Sequence, residues 1–80
     1  MIIGYTSGVF DLFHIGHLKI LKKAKERCDK LIVGVTTDSL AYELKGKLPL
    51  VPFEERIDKV SAIKYVDLAV EEYKDDKFLY

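Results

Sequence analysis

The only two histidines of the chain, His14 and His17, stand three residues apart in the stretch Gly8-Val-Phe-Asp-Leu-Phe-His-Ile-Gly-His17. That stretch follows a short apolar run, Met1 to Tyr5, and leads into a helix-period segment from Leu18 to Cys28. It reads as a loop that leaves a strand and enters the first turn of a helix. A helix start carries unpaired N–H groups and the positive end of the helix dipole, so it favours an anion before any side chain is counted. Residues at i and i+3 share a helix face, so His14 and His17 can address one anion together. Gly16 between them has no Cβ and lets a bulky ligand approach the backbone. The chemistry this pattern suits is the holding of a phosphate chain.

The rest of the chain supplies the elements that would hold this entry in place. Ile2, Ile3, Tyr5 and Thr6 make Met1–Ser7 strand-like, and Gly8 permits a conformation or close approach that a side chain would hinder. Leu18, Ile20, Leu21, Ala24 and Cys28 form an apolar helical stripe over Gly16–Asp29, with Lys19, Lys22, Lys23, Lys25, Glu26 and Arg27 on the remaining positions. The lysines read as a solvated face, and Cys28 as a core thiol in phase with Leu21 and Ala24. Leu31–Val35 is a continuous apolar run of the kind that is buried on both faces of a parallel sheet. Thr36, Thr37, Asp38 and Ser39 offer N-caps for a short helix through Leu44. Lys45–Pro52, with Gly46, Pro49 and Pro52, predicts an irregular, lid-like loop. Helix period returns over Phe53–Lys64 through Ile57, Val60 and Ile63, behind the acidic start Glu54-Glu55. Tyr65–Val70 reads as a third strand, and Lys74–Tyr80 as the beginning of a further helix.

Strands alternating with amphipathic helices predict an α/β fold, a Rossmann-like parallel sheet with flanking helices, three strands in the order 3-2-1. Ligands of such sheets bind at the carboxyl ends of strands, where the two histidines fall. The 3-2-1 order leaves the first strand with an open edge, which further chain or a partner would cover.

Eighty residues with a formal net charge of zero make one small domain and provide no global field for nucleic acid or an anionic membrane. No basic stripe with interleaved aromatics points to nucleic acid. One cysteine closes no internal disulfide, and the sequence has neither a signal-peptide pattern nor an apolar span of membrane length, so a cytoplasmic setting is expected. A zinc site from His14, His17 and Cys28 is not expected, because Cys28 lies on the core stripe several turns away, and no metal ligand set is assigned.

The run Gly8-Val-Phe-Asp-Leu-Phe-His-Ile-Gly-His17 closely resembles the G-x-F-D-x-x-H-x-G-H signature of the cytidylyltransferase-like nucleotidyltransferases. Ala24-Lys25, Asp29–Val35, Thr37-Asp38, Glu55-Arg56 and Tyr65-Val-Asp67 are similar to the corresponding stretches of the bacterial glycerol-3-phosphate cytidylyltransferases. The resemblance implies that residues 1–80 are the amino-terminal portion of one nucleotidyltransferase domain. The family's pattern continues with a fourth and fifth strand and an arginine ahead of a Gly-x-Ser-Thr-Thr segment, which are not among these eighty residues.

The implied reaction moves CMP from CTP, with Mg²⁺, to a phosphorylated alcohol such as glycerol 3-phosphate, giving a CDP-alcohol and pyrophosphate. Transfer of AMP from ATP on the same fold is the alternative; a truncated module that only binds nucleotide or dimerises is the other. Physical chemistry is compatible with the class. A phosphate monoester with a second pKa of about 6 is mostly ionised at neutral pH, so its oxygen needs no strong base. What it needs is in-line placement and positive charge about the transferred group.

By resemblance, His14, His17 and Lys45 are catalytic, and Gly8, Val9, Phe10, Asp11, His14, Gly16 and His17 surround the nucleotide. Lys45, Lys47 and Arg56 then meet substrate phosphate, Arg56 having bracing of the loop as a second role open to it, and surface pairing with Glu55 or Asp58 as a third. Asp11 orients the loop and neighbouring donors. Phe10 and Phe13 are expected to pack rather than to stack on a base, and Asp67 to be structural or dimer-forming. A homodimer is the expected assembly.

Overall fold

The computed structural model describes residues 1–12 and 15–72. Phe13, His14 and the helix expected over Lys74–Tyr80 lie outside them. Six elements follow one another: β1 (Ile3–Gly8), α1 (Ile15–Glu26), β2 (Lys30–Thr36), α2 (Asp38–Lys45), α3 (Phe53–Ser61) and β3 (Leu68–Glu72). The strands form one parallel sheet in the order β1-β2-β3, the arrangement the apolar pattern predicts, with β2 central.

Register explains where the core sits. Leu31, Val33 and Val35 of β2 alternate onto one face, and all three are buried. Leu21, Ala24 and Cys28 from α1 and the turn after it, and Ile57, Val60 and Ile63 from α3 and its exit, pack against those three side chains. Both helices therefore cover the same face. The thiol of Cys28 sits in this cluster and donates to the Ala24 carbonyl at 3.4 Å, as a core thiol does. On the opposite face Ile3, Tyr5, Ile32, Leu68 and Val70 line up across the three strands, and Ile3 and Leu68 are exposed.

Local chemistry sets the element ends. Thr37 caps α2, its hydroxyl accepting the Leu40 N–H at 3.2 Å, and Gly46 ends that helix in the left-handed conformation with φ +78°. The third strand starts later than its apolar run predicts. After α3 the chain turns through Ile63–Val66, and Asp67 is spent on the neighbouring strand: its N–H donates to the Leu31 carbonyl, and its carboxylate accepts the Leu31 N–H at 2.7 Å and the Lys25 ammonium at 2.7 Å. Tyr65–Asp67 is thus the entrance to β3 rather than its first half. Of the two roles expected of Asp67, these bonds make the structural one.

Candidate active site

The carboxyl ends of β1 and β2 are stitched together where Thr36 donates its hydroxyl to the Gly8 carbonyl at 3.2 Å. Immediately beyond Gly8 the chain turns sharply. Phe10 has φ +54°, a left-handed value uncommon for a residue with a bulky side chain. Its ring is buried in the core cluster and folds back over Gly8, where a Cβ would approach two ring carbons at 3.1 Å. A side chain at Gly8 would therefore crowd the Phe10 ring, and Phe10 is a packing residue. A backbone outlier of this kind persists where the surroundings over-determine it, and such sites cluster where ligands bind.

The Phe10 ring also meets His17 edge to face, with centroids 5.5 Å apart and planes at 72°. His17 sits in the first turn of α1, so the imidazole is held at the mouth of the β1–α1 turn by a buried aromatic. Around it opens a cleft of about 360 Å³, lined by Val9, Phe10, Asp11 and Leu12 from the β1–α1 turn and by Lys45, Lys47 and Leu48 from the end of α2 and the loop after it. Three of the residues expected to meet phosphate, His17, Lys45 and Lys47, thus face one space. Both lysines are exposed. Gly16 is half-buried beside His17; His14 lies outside the described residues.

Asp11 and Arg56 take different places from phosphate ligands. Asp11 accepts the Leu50 N–H on Oδ2 at 3.0 Å and the Val51 N–H on Oδ1 at 2.8 Å. These two bonds, Leu50's first, hold its carboxyl below the usual carboxylate range; partial burial opposes them, and the charges of Arg56 and Lys47 add to them. Arg56 is 1% exposed and gives its fork to the protein. Nε donates to the Val51 carbonyl at 2.9 Å, Nη1 to the Val9 and Thr36 carbonyls at 2.7 Å each, and Nη2 to Asp38 Oδ1 at 2.6 Å. Of the roles open to Arg56, the structure shows the brace. The assignment to substrate phosphate is corrected, because a guanidinium committed to three carbonyls and a carboxylate inside the fold has no open side to turn to a ligand. It joins the ends of β1 and β2 to the loop before α3. Surface pairing with Glu55 or Asp58 is likewise replaced by the pair with Asp38.

Asp38 is the residue the sequence reading missed. Read there as a possible cap and as part of a stretch similar to the family's, without a partner, it binds Arg56 through one oxygen and accepts the Phe53 N–H at 3.4 Å through the other. An acid just past the end of β2 and an arginine in the first turns of α3 become neighbours once the strands are set side by side, which was the available signal.

A model of the cytidylyltransferase-like family matches residues 5–77 of the chain. The chain belongs to the cytidylyltransferase-like family. Among its relatives, the bifunctional protein HldE of Granulibacter bethesdensis is 42% identical over 69 residues, covering 85% of the chain and 14% of that protein. The FAD synthase of Pyrococcus abyssi is 48% identical over 62 residues, covering 78% of the chain and 42% of that protein. The crystal structure of the lipopolysaccharide core biosynthesis protein from Thermoplasma volcanium superposes with a TM-score of 0.88 at 37% identity, over 99% of the chain and 64% of that protein. The chain thus spans less than half the length of these curated relatives. Family membership makes the fold that of a nucleotidyltransferase.

Proposed function

We propose that the cleft holds the phosphates of a nucleoside triphosphate and that the protein transfers a nucleotidyl group to a phosphorylated acceptor. The observation that carries this reading is the convergence of His17, Lys45 and Lys47 on one space at the carboxyl ends of the strands. An acceptor phosphate oxygen attacks the α-phosphorus in line. The new phosphorus–oxygen bond forms as the α–β bond breaks, and pyrophosphate leaves with the electron pair. The acceptor arrives already ionised, so no side chain has to remove a proton. Negative charge grows on the leaving pyrophosphate, and the two ammonium groups with the His17 imidazole lie where they can stabilise it. Lysine suits this duty because its flexible stem lets a compact charge follow the phosphate through the step. His14 is assigned to the same triphosphate by its place in the signature. Mg²⁺ is proposed to arrive with the nucleotide, on its phosphate oxygens.

The nucleotide has two candidates. The family's name favours CTP; glycerol 3-phosphate as acceptor, giving a CDP-alcohol, rests on the sequence resemblance alone. The FAD synthase relative favours ATP, because the product in its name contains an adenylyl group. Release of pyrophosphate from CTP and from ATP, each offered glycerol 3-phosphate, a sugar phosphate and FMN, separates the two. Substrate-dependent release from one triphosphate is expected. No release from either would leave only the non-catalytic nucleotide-binding module.

A further inference from the structure

We propose that Leu12 and Leu48 set the class of acceptor: a phosphate monoester whose body is apolar or a flat ring, in place of the polyol phosphate that the resemblance implies. This deepens the nucleotidyl-transfer reading and rests on it. Leu12 and Leu48 are 61% and 62% exposed. Leucines exposed singly are ordinary on a protein surface. These two open onto the cleft that His17, Lys45 and Lys47 line, Leu12 from the β1–α1 turn and Leu48 from the loop after α2. Ala41 and Pro49 extend the same apolar lining. Phosphate is held by the cations and gains nothing from hydrocarbon, so the apolar lining serves the part of a ligand that leads away from its phosphate.

The polar side chains of the lining are already committed, and that decides between kinds of body. Among the described residues they are Asp11, His17, Lys45 and Lys47. The last three face the phosphates, and Asp11 accepts the Leu50 and Val51 N–H groups, one on each oxygen. A polyol brought against the leucines gives up water from its hydroxyls without gaining a side-chain partner, whereas a ring gains by covering them. The edge of a nucleobase needs hydrogen-bond partners as a polyol does, which assigns the leucines to the acceptor rather than to the base. Leu12 also stands at an unspecified position of G-x-F-D-x-x-H-x-G-H, so it can set substrate choice without disturbing the phosphate site.

The test is calorimetric titration of the full chain with inorganic pyrophosphate, glycerol 3-phosphate and phenyl phosphate, the two monoesters having equal charge and different bodies. Phenyl phosphate is expected to bind about tenfold tighter than glycerol 3-phosphate, the worth of covering part of two leucine side chains. That ratio should fall about threefold in Leu12→Ser and in Leu48→Ser, and to about one in the double variant, because covered apolar area adds. Both side chains are exposed, so the denaturation midpoint should stay where it was. Equal or weaker binding of phenyl phosphate, or a ratio that survives the double variant, would overturn the proposal. A preference for CTP or ATP over inorganic triphosphate that disappears in the same variants would give the leucines to the base and overturn the acceptor assignment. Absence of pyrophosphate binding by the unmodified protein would instead remove the nucleotidyl-transfer reading, and this proposal with it.

Discussion

At the carboxyl end of the sheet, Asp11 accepts two backbone N–H groups from a loop 39 and 40 residues further on; at the amino end, Asp67 accepts one from Leu31, 36 residues back, together with the Lys25 ammonium. The chemistry is the same: an ionised carboxylate as acceptor for a distant backbone. The receiving segments differ. Leu31 lies in a strand whose register is already fixed by neighbours on both sides, so Asp67 reinforces what the ladder dictates. Leu50 and Val51 belong to an irregular loop with no ladder, so Asp11 and Arg56 supply order that would otherwise be missing. One end of the sheet is built to be stable and the other to keep an irregular loop in place.

The hardest blow to that contrast is Arg56→Ala. It leaves the Val9, Thr36 and Val51 carbonyls and the half-exposed Asp38 carboxylate without their donor, and each buried acceptor left unsatisfied costs about 1–3 kcal/mol. Against a typical total of about 5–15 kcal/mol, chemical denaturation should show most of the stability gone. Arg56→Lys should recover only part, since an ammonium cannot reach four acceptors in a fork. Next come Lys45→Ala and Lys47→Ala. Each should leave the denaturation midpoint where it was, because both side chains are exposed. Each should weaken pyrophosphate binding about tenfold to a hundredfold, the worth of a charged hydrogen bond. Asp67→Ala should do the reverse, lowering the melting midpoint modestly while pyrophosphate affinity stays unchanged. An Asp67 variant that weakened pyrophosphate binding would erase the distinction between the two ends.

The smallest effect is that of acid. Both carboxyls titrate below their ordinary value near 3.8, Asp11 through Leu50 and Val51, Asp67 chiefly through Lys25 and then Leu31. A group whose folded pKa is depressed contributes stability that is complete above the unfolded value and disappears as pH falls through the folded one. Stability from both clamps should therefore be flat down to about pH 4 and fall below it. Amide shifts of Leu50 and Val51 should report one titration and that of Leu31 the other.

The order of strands and helices was legible because each element carries its own period. The Leu31–Val35 run, the Leu21/Ala24/Cys28 stripe and the Ile57/Val60/Ile63 stripe became, in place, the buried cluster. Lys45, Lys47 and His17 were legible as a group through the family signature and the loop that follows β2. What stayed hidden was pairing at a distance. Nothing near Arg56 announces that its partners are Val9, Thr36 and Asp38, and nothing near Tyr65 announces that the next aspartate serves a strand three elements earlier. Apolar residues report burial locally, whereas a polar side chain has its meaning in whatever the fold brings to it.

The bare side of the sheet bears on how the chain melts. Ile3 and Leu68 are already in water in the native state, and Ile32 and Val70 are only half covered, so unfolding uncovers less new hydrocarbon there than it does under the helices. Heat-capacity change and denaturant slope both scale with newly wetted surface. The stability curve of this unit should accordingly be broad and shallow, and anything that docks on that side should steepen it.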